Sequence, residues 1–149
     1  HLVVMKRSES DGEITNITYK DGDVVKTSTR YVASGDLNGD GIIDSNDEWE
    51  YSAAIDYTTD NITAPIENKG CLMLFDEILD VDMDEMIYAY YGGMLGKATK
   101  HLPLVGHYTY NGEDSVSDMY FTWTLNSDSY PTELVVKDQW DEYICTFTW

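Results

Sequence analysis

The chain has 149 residues, enough for one domain with its own core, and 42% of them are hydrophobic. Nine Lys and Arg stand against 28 Asp and Glu, for a formal charge of −19 and a pI near 4.1. Such a field repels phosphate backbones and anionic lipid surfaces, which sets nucleic acid aside as a partner and favours bound cations.

Aromatic residues make up 13% of the chain, led by twelve Tyr and four Trp, which leans towards β-strands. No run approaches the ~20 apolar residues of a membrane helix, so the chain is not expected to span a membrane by helices. The two cysteines, Cys71 and Cys145, form neither a metal motif nor a disulfide framework. Each sits among apolar residues, and both are expected as buried free thiols.

The sequence opens abruptly on His1-Leu2-Val3-Val4-Met5 with no signal peptide, which points to a start after a removed leader or anchor, or inside a longer protein. A short run to Glu9 and the turn Ser10-Asp11-Gly12 come first. Ile14 to Lys20 then alternates, Asp21-Gly22 turns, and Val24 to Ala33 follows. Two Asp-Gly turns between β-branched runs predict hairpins.

Next comes Gly35 to Asp47, GDLNGDGIIDSND. Asp36, Asn38 and Asp40 alternate, Gly41 follows, and Asp44 and Asp47 fall at the ninth and twelfth places. This is the calcium-loop spacing, with Asp47 where an EF-hand usually has glutamate. Ca²⁺ is hard and takes six to eight oxygens. Short acidic side chains on alternate residues can supply them, and Ile42, at the seventh place, offers its backbone carbonyl. The candidate metal ligands are therefore Asp36, Asn38, Asp40, Ile42, Asp44 and Asp47. An Asx-rich turn favours the same residue types but does not account for the spacing. The segment also resembles a dockerin calcium segment, although a dockerin carries two, each with a following helix.

Glu48 to Thr58 alternates with period two, so a strand is expected where an EF-hand would have its second helix. The loop (35–47) thus reads as an insertion between two strands, which argues against a calmodulin-like opening switch. After a connector with Pro65, Cys71 to Leu79 reads as a short helix. The main helix is expected over about 82–96. Asp82 and Glu85 have capping-box spacing, Gly96 can end it, and Met83, Met86, Ile87, Tyr90, Tyr91, Met94 and Leu95 form one apolar face. Asp80, Asp82 and Asp84 imitate the calcium spacing but lack its glycine, and fit a helix N-terminus better. Four further strands are expected over Leu104–Asn111, Val116–Leu125, Thr132–Lys137 and Tyr143–Trp149. The fold class is mainly β (α+β), a single domain over 1–149 with about eight strands and one substantial helix.

Residues 68–103 (NKGCLMLFDEILDVDMDEMIYAYYGGMLGKATKHLP), the later YFTWTLNSDSYPTELVV and the closing CTFTW resemble a family of uncharacterised Bacteroidetes domains of unknown function with a porin-like fold. Its members are typically secreted and lipoprotein-like. The resemblance implies a strongly curved antiparallel sheet or incomplete barrel wrapped around the helix, and a periplasmic or outer-membrane, cell-surface location. It implies no activity. The strands show no continuous apolar band with aromatic girdles, so porin-like does not mean a pore here. With a bacterial source, the sequons at Asn16 and Asn61 are coincidental.

No G-x-S-x-G, H-E-x-x-H or P-loop appears, and carboxylates are too abundant for a pair of them to mark a glycosidase, so no enzyme is expected. His101 and His107 lack the partners of a transition-metal site. The aromatic and Met set, with Phe121, Trp123, Phe147 and Trp149, reads first as core. Its alternative is a cleft between helix and sheet for a hydrophobic small molecule. The expectation is a secreted or periplasmic module with structural Ca²⁺ and a surface glycan or protein as partner. A lipid or hydrophobic-ligand carrier is the alternative, and a dockerin-like interaction module comes behind both.

Overall fold

A computed structural model describes residues 5–8, 12–31, 35–36, 38–74, 78–79, 88, 97–110 and 117–149. The alternating stretches fold into β1 (Met5–Ser8), β2 (Glu13–Lys20), β3 (Asp23–Tyr31), β4 (Trp49–Asp56), β5 (Val105–Tyr110), β6 (Ser117–Leu125), β7 (Pro131–Lys137) and β8 (Glu142–Thr146). They form one sheet in sequence order, every neighbouring pair antiparallel. Among the described residues the sheet is open, with β1 and β8 at its edges. The mainly β, antiparallel expectation therefore holds.

The Asp21-Gly22 turn joins β2 to β3 with φ of 54° and 97°. Both central residues of a tight hairpin need positive φ, which is why Asp-Gly serves there. Just inside this turn the register shifts between Thr18 and Tyr19, so that Val25 is the extra residue of a bulge. The bulge turns Val24 onto the core face, where it is fully buried.

Period two gives the sheet an inner and an outer face. Ile17, Thr27, Ala53, Ile55, Phe121, Leu134 and Val136 are buried on the inner face. Described residues of the chain between β4 and β5 cover that face. Leu74, Ile78, Leu79 and Leu102 from this excursion are each at most 6% exposed and join the same core cluster. Tyr108 donates to the Ile78 carbonyl at 2.6 Å and Thr27 to the Leu79 carbonyl at 2.7 Å, so the sheet supplies donors for the backbone lying on it. Trp123 of β6 does the same for the carbonyl of the buried Pro103 at 2.7 Å, and Trp149, beyond β8, donates to the carbonyl of Pro131 at the start of β7 at 2.6 Å.

Three expectations change. The short helix over Cys71–Leu79 is not formed at Cys71–Leu74, which is irregular, with Cys71 at φ 54°. The amides of Ile78 and Leu79 both bond the Leu74 carbonyl, and residues 75–77 lie outside the described residues. Cys71 is exposed and Cys145 half-buried, both free thiols, so burial was wrong for Cys71. Trp149 is 53% exposed, a lid over Gly70 more than a core residue. Of the helix expected over about 82–96 only Tyr88 is described, so that helix, its Met-rich face and the wrapping of the sheet around it lie outside the described residues. The same holds for Asp80, Asp82 and Asp84.

Candidate metal centre

The loop between β3 and β4 is organised by its own carboxylates. Asp36 accepts from the amides of Gly39 (2.6 Å) and Asp40 (3.1 Å) with one oxygen and from Gly41 (2.7 Å) with the other. Asn38 accepts from the Asp40 amide, Asp40 from Ile42 and Asp44 from Asn46, each at 2.8 Å. These repeated Asx turns follow from placing Asp or Asn on alternate residues, since each side chain reaches the amide two positions on. Gly39 and Gly41 sit at φ 80° and 86°, in the region the tight path requires.

Asp47 closes the loop. It is 1% exposed and accepts from the Asn38 amide with one oxygen and the Asp44 amide with the other, both at 3.0 Å. Asp44 and Asp47 also cap the single 3₁₀ turn Ser45–Asp47 reciprocally. The loop then enters β4 directly at Trp49, and Arg30 of β3 pairs with Glu48 at 3.3 Å.

All six predicted positions therefore lie in one compact loop. The oxygens point mainly to amides and not to one centre. Among the described residues no three His, Cys, Asp or Glu side chains converge closely enough to hold a metal ion. Among the described residues Asp40 spends one carboxylate oxygen on the Ile42 amide and keeps the other, while the Asp44 carboxylate accepts from the Asn46 amide and, in the capping box, from the Asp47 amide. Ile42, at the seventh place, is 61% exposed. An all-oxygen donor set of this kind suits Ca²⁺.

Beside the loop the inner face carries stacked rings. Tyr31 and Trp49, opposite each other across β3 and β4, stack at 4.3 Å, and Tyr51 meets Trp49 edge-on at 4.8 Å and Tyr110 at 5.2 Å. Cross-strand aromatic pairs of this type stiffen the sheet end that holds the loop.

Two histidine clusters appear that the sequence did not single out. Asp23, buried at the start of β3, accepts from the His101 amide (2.8 Å) and the Thr99 hydroxyl (3.2 Å), and its second oxygen meets His101 Nδ1 at 2.7 Å. Tyr57 bonds the Val24 carbonyl and the Thr99 hydroxyl, each at 2.8 Å, and burial pushes its phenol well above the ordinary range. The network ties residues 97–104 to the β2–β3 turn.

On the outer face His107 stands between Asp118 of β6 (2.8 Å) and Asp56 of β4 (3.3 Å), one carboxylate for each ring nitrogen. The bond to Asp118, and then Asp56, raises its pKa above the ordinary 6.5. The folded imidazole thus holds its proton to higher pH than the unfolded one. Its contribution to stability is full below the unfolded value and fades as pH rises through the raised folded value. The stability difference between wild type and His107→Gln, read from urea midpoints, should be larger at about pH 5 than at about pH 9. Equal differences at both would show that the trio carries no pH dependence.

No curated protein matches the chain. Among solved structures it is similar to the crystal structure of a porin-like protein from Bacteroides uniformis, at 16% identity and a TM-score of 0.41, over 94% of this chain and 73% of that one. The family model described as a domain of unknown function (DUF4595) with porin-like fold matches residues 1–133, and the chain belongs to that family.

Proposed function

We propose that the protein is a secreted or periplasmic, surface-associated binding module, not an enzyme, and that the loop from Asp36 to Asp47 binds one structural Ca²⁺. The observation that supports this most is the Asp40 carboxylate oxygen that, among the described residues, lies outside the loop's hydrogen bonds, in a backbone already turned by Gly39 and Gly41. Asp36, Asn38 and Asp47 supply further oxygens, and Ile42 its carbonyl. The ion offsets part of the −19 charge and pins the β3–β4 connection.

Calcium at about one hundred times its Kd should add about 2.7 kcal/mol. For a chain of this size that is a rise in melting temperature of about 5–10 °C, reversed by chelator. Asp40→Asn with Asp44→Asn should abolish the shift without unfolding the protein. A melting temperature indifferent to calcium, with no heat of binding in calorimetry, would sink the reading.

The outer face supports a module that meets water. Asn16, Thr18, Lys26, Arg30, Glu50 and Asp56 are exposed along β2 to β4, where a lipid-facing barrel would need apolar residues. Among the described residues no helix is long and apolar enough to cross a membrane. The partner proposed is a surface glycan or protein. A hydrophobic-ligand carrier would need room on the inner face, where Leu74, Ile78, Leu79 and Leu102 pack against the sheet.

A further inference from the structure

The open edge at β8 is built to pair. Phe147 donates to the Thr132 carbonyl at 2.9 Å, and Asp138 to the Asp141 carbonyl at 3.1 Å. In the regular β7–β8 register these two bonds fix the phase of the ladder, so Tyr143 and Cys145 are the residues hydrogen-bonded to β7. The N–H and C=O groups of Glu142, Ile144 and Thr146 therefore point away from the sheet. Natural edges are guarded by Lys, Pro or a bulge. β8 has none of the three, whereas the β1 sequence (MKRS) contains Lys6 and Arg7. The β8 edge is also apolar: Ile144 is 59% exposed and Trp140, in the turn before it, 71%.

We propose that a second copy of this chain docks on this edge, β8 against β8, antiparallel about a twofold axis through Ile144. That register places Ile144 opposite Ile144 and Glu142 opposite Thr146, all three residues being those whose backbone groups face outward. These are the hydrogen-bonded pairs of the register, and Tyr143 opposite Cys145 is the non-hydrogen-bonded pair between them. No carboxylate of β8 meets another carboxylate, and the central pair buries the exposed isoleucines against each other. The contact is isologous and closes on itself, so it gives a dimer and not a fibre. One strand pair is a small interface, and each chain brings −19 of charge, so the dimer is weak and strengthens as salt screens that repulsion.

Sedimentation velocity over a concentration series, at low and high salt, should show a monomer–dimer equilibrium that salt moves towards dimer. Ile144→Lys places two like charges on the axis while its side chain stays in solvent. It should weaken the dimer at least about tenfold with circular dichroism and melting temperature unchanged. Facing Cα atoms of a hydrogen-bonded pair lie about 5.5 Å apart, within disulfide reach. Ile144→Cys with Cys71→Ser and Cys145→Ser should therefore form an oxidised dimer. A chain that stays monomeric throughout the series overturns the proposal. So does a dimer that survives Ile144→Lys and gives no cross-link through position 144.

Discussion

Replacing Asp23 by alanine should cost about 3–5 kcal/mol, the range for removing one partner from a buried, charged hydrogen-bond network. Asp23 is 7% exposed and serves two residues nearly eighty positions away in the chain, Thr99 and His101. Without it the His101 amide, the His101 ring and the Thr99 hydroxyl lose their acceptor in a site that water does not readily fill. The Thr99 hydroxyl also accepts from the Val24 amide and lies 2.8 Å from the Tyr57 hydroxyl, so the loss spreads to the bulge that aims Val24 inward. Asp23→Asn keeps an acceptor and should lose roughly half as much. Chemical denaturation of the three proteins measures both values. A loss under about 1 kcal/mol for the alanine variant would mean the network is not what holds residues 97–104 to the sheet.

Leu102→Ala should be comparable, at about 2–5 kcal/mol. Leu102 is fully buried and shares its cluster with Ile78 and Leu79 on the inner face. Its backbone is fixed on one side by its own amide to the Ile66 carbonyl at 2.7 Å, and Pro103 follows, so the site has little freedom to collapse around the missing methyls. The melting temperature should fall by about 5–15 °C. A shift below 2 °C, within about one-half kcal/mol, would show that Leu102 and its cluster lie on the sheet more loosely than their burial states.

The strands were legible because their pattern is local. Ile14 to Lys20 and Trp49 to Tyr57 alternate cleanly, and Asp21-Gly22 can hardly be read as anything but a tight turn. The Asp36–Asp47 stretch was legible as an ordered acidic loop, but its spacing was read as calcium ligands, whereas the side chains of Asp36, Asn38, Asp40 and Asp44 accept from amides a few residues on and Asp47 reaches back to Asn38 and Asp44. What stayed hidden was non-local. Asp23 stands next to a turn glycine and looks like a solvated turn residue. Its burial depends on Thr99 and His101, whose place beside it is set by the path of the intervening chain. His107 gains Asp56 and Asp118 only once β4, β5 and β6 are in register. Cys71 misled because its neighbours Leu72 to Leu74 are apolar and half-buried or buried, while its own positive φ turns it outward. Periodicity says which side of a strand a residue takes, but not what covers that side.

The excursion of residues 57–104 has a consequence for how the molecule is assembled in time. β1 to β4 and β5 to β8 are each a run of short-range hairpins, and β4 meets β5 only after the chain has closed a long loop. Closure of that length costs entropy that grows slowly with loop size, while the low contact order within each half lets it form quickly. The sheet is therefore two four-stranded runs in sequence order joined along the β4–β5 seam. A nick in the exposed stretch Asp60–Ala64 leaves both halves whole, so fragments 1–61 and 62–149 should reassociate when mixed.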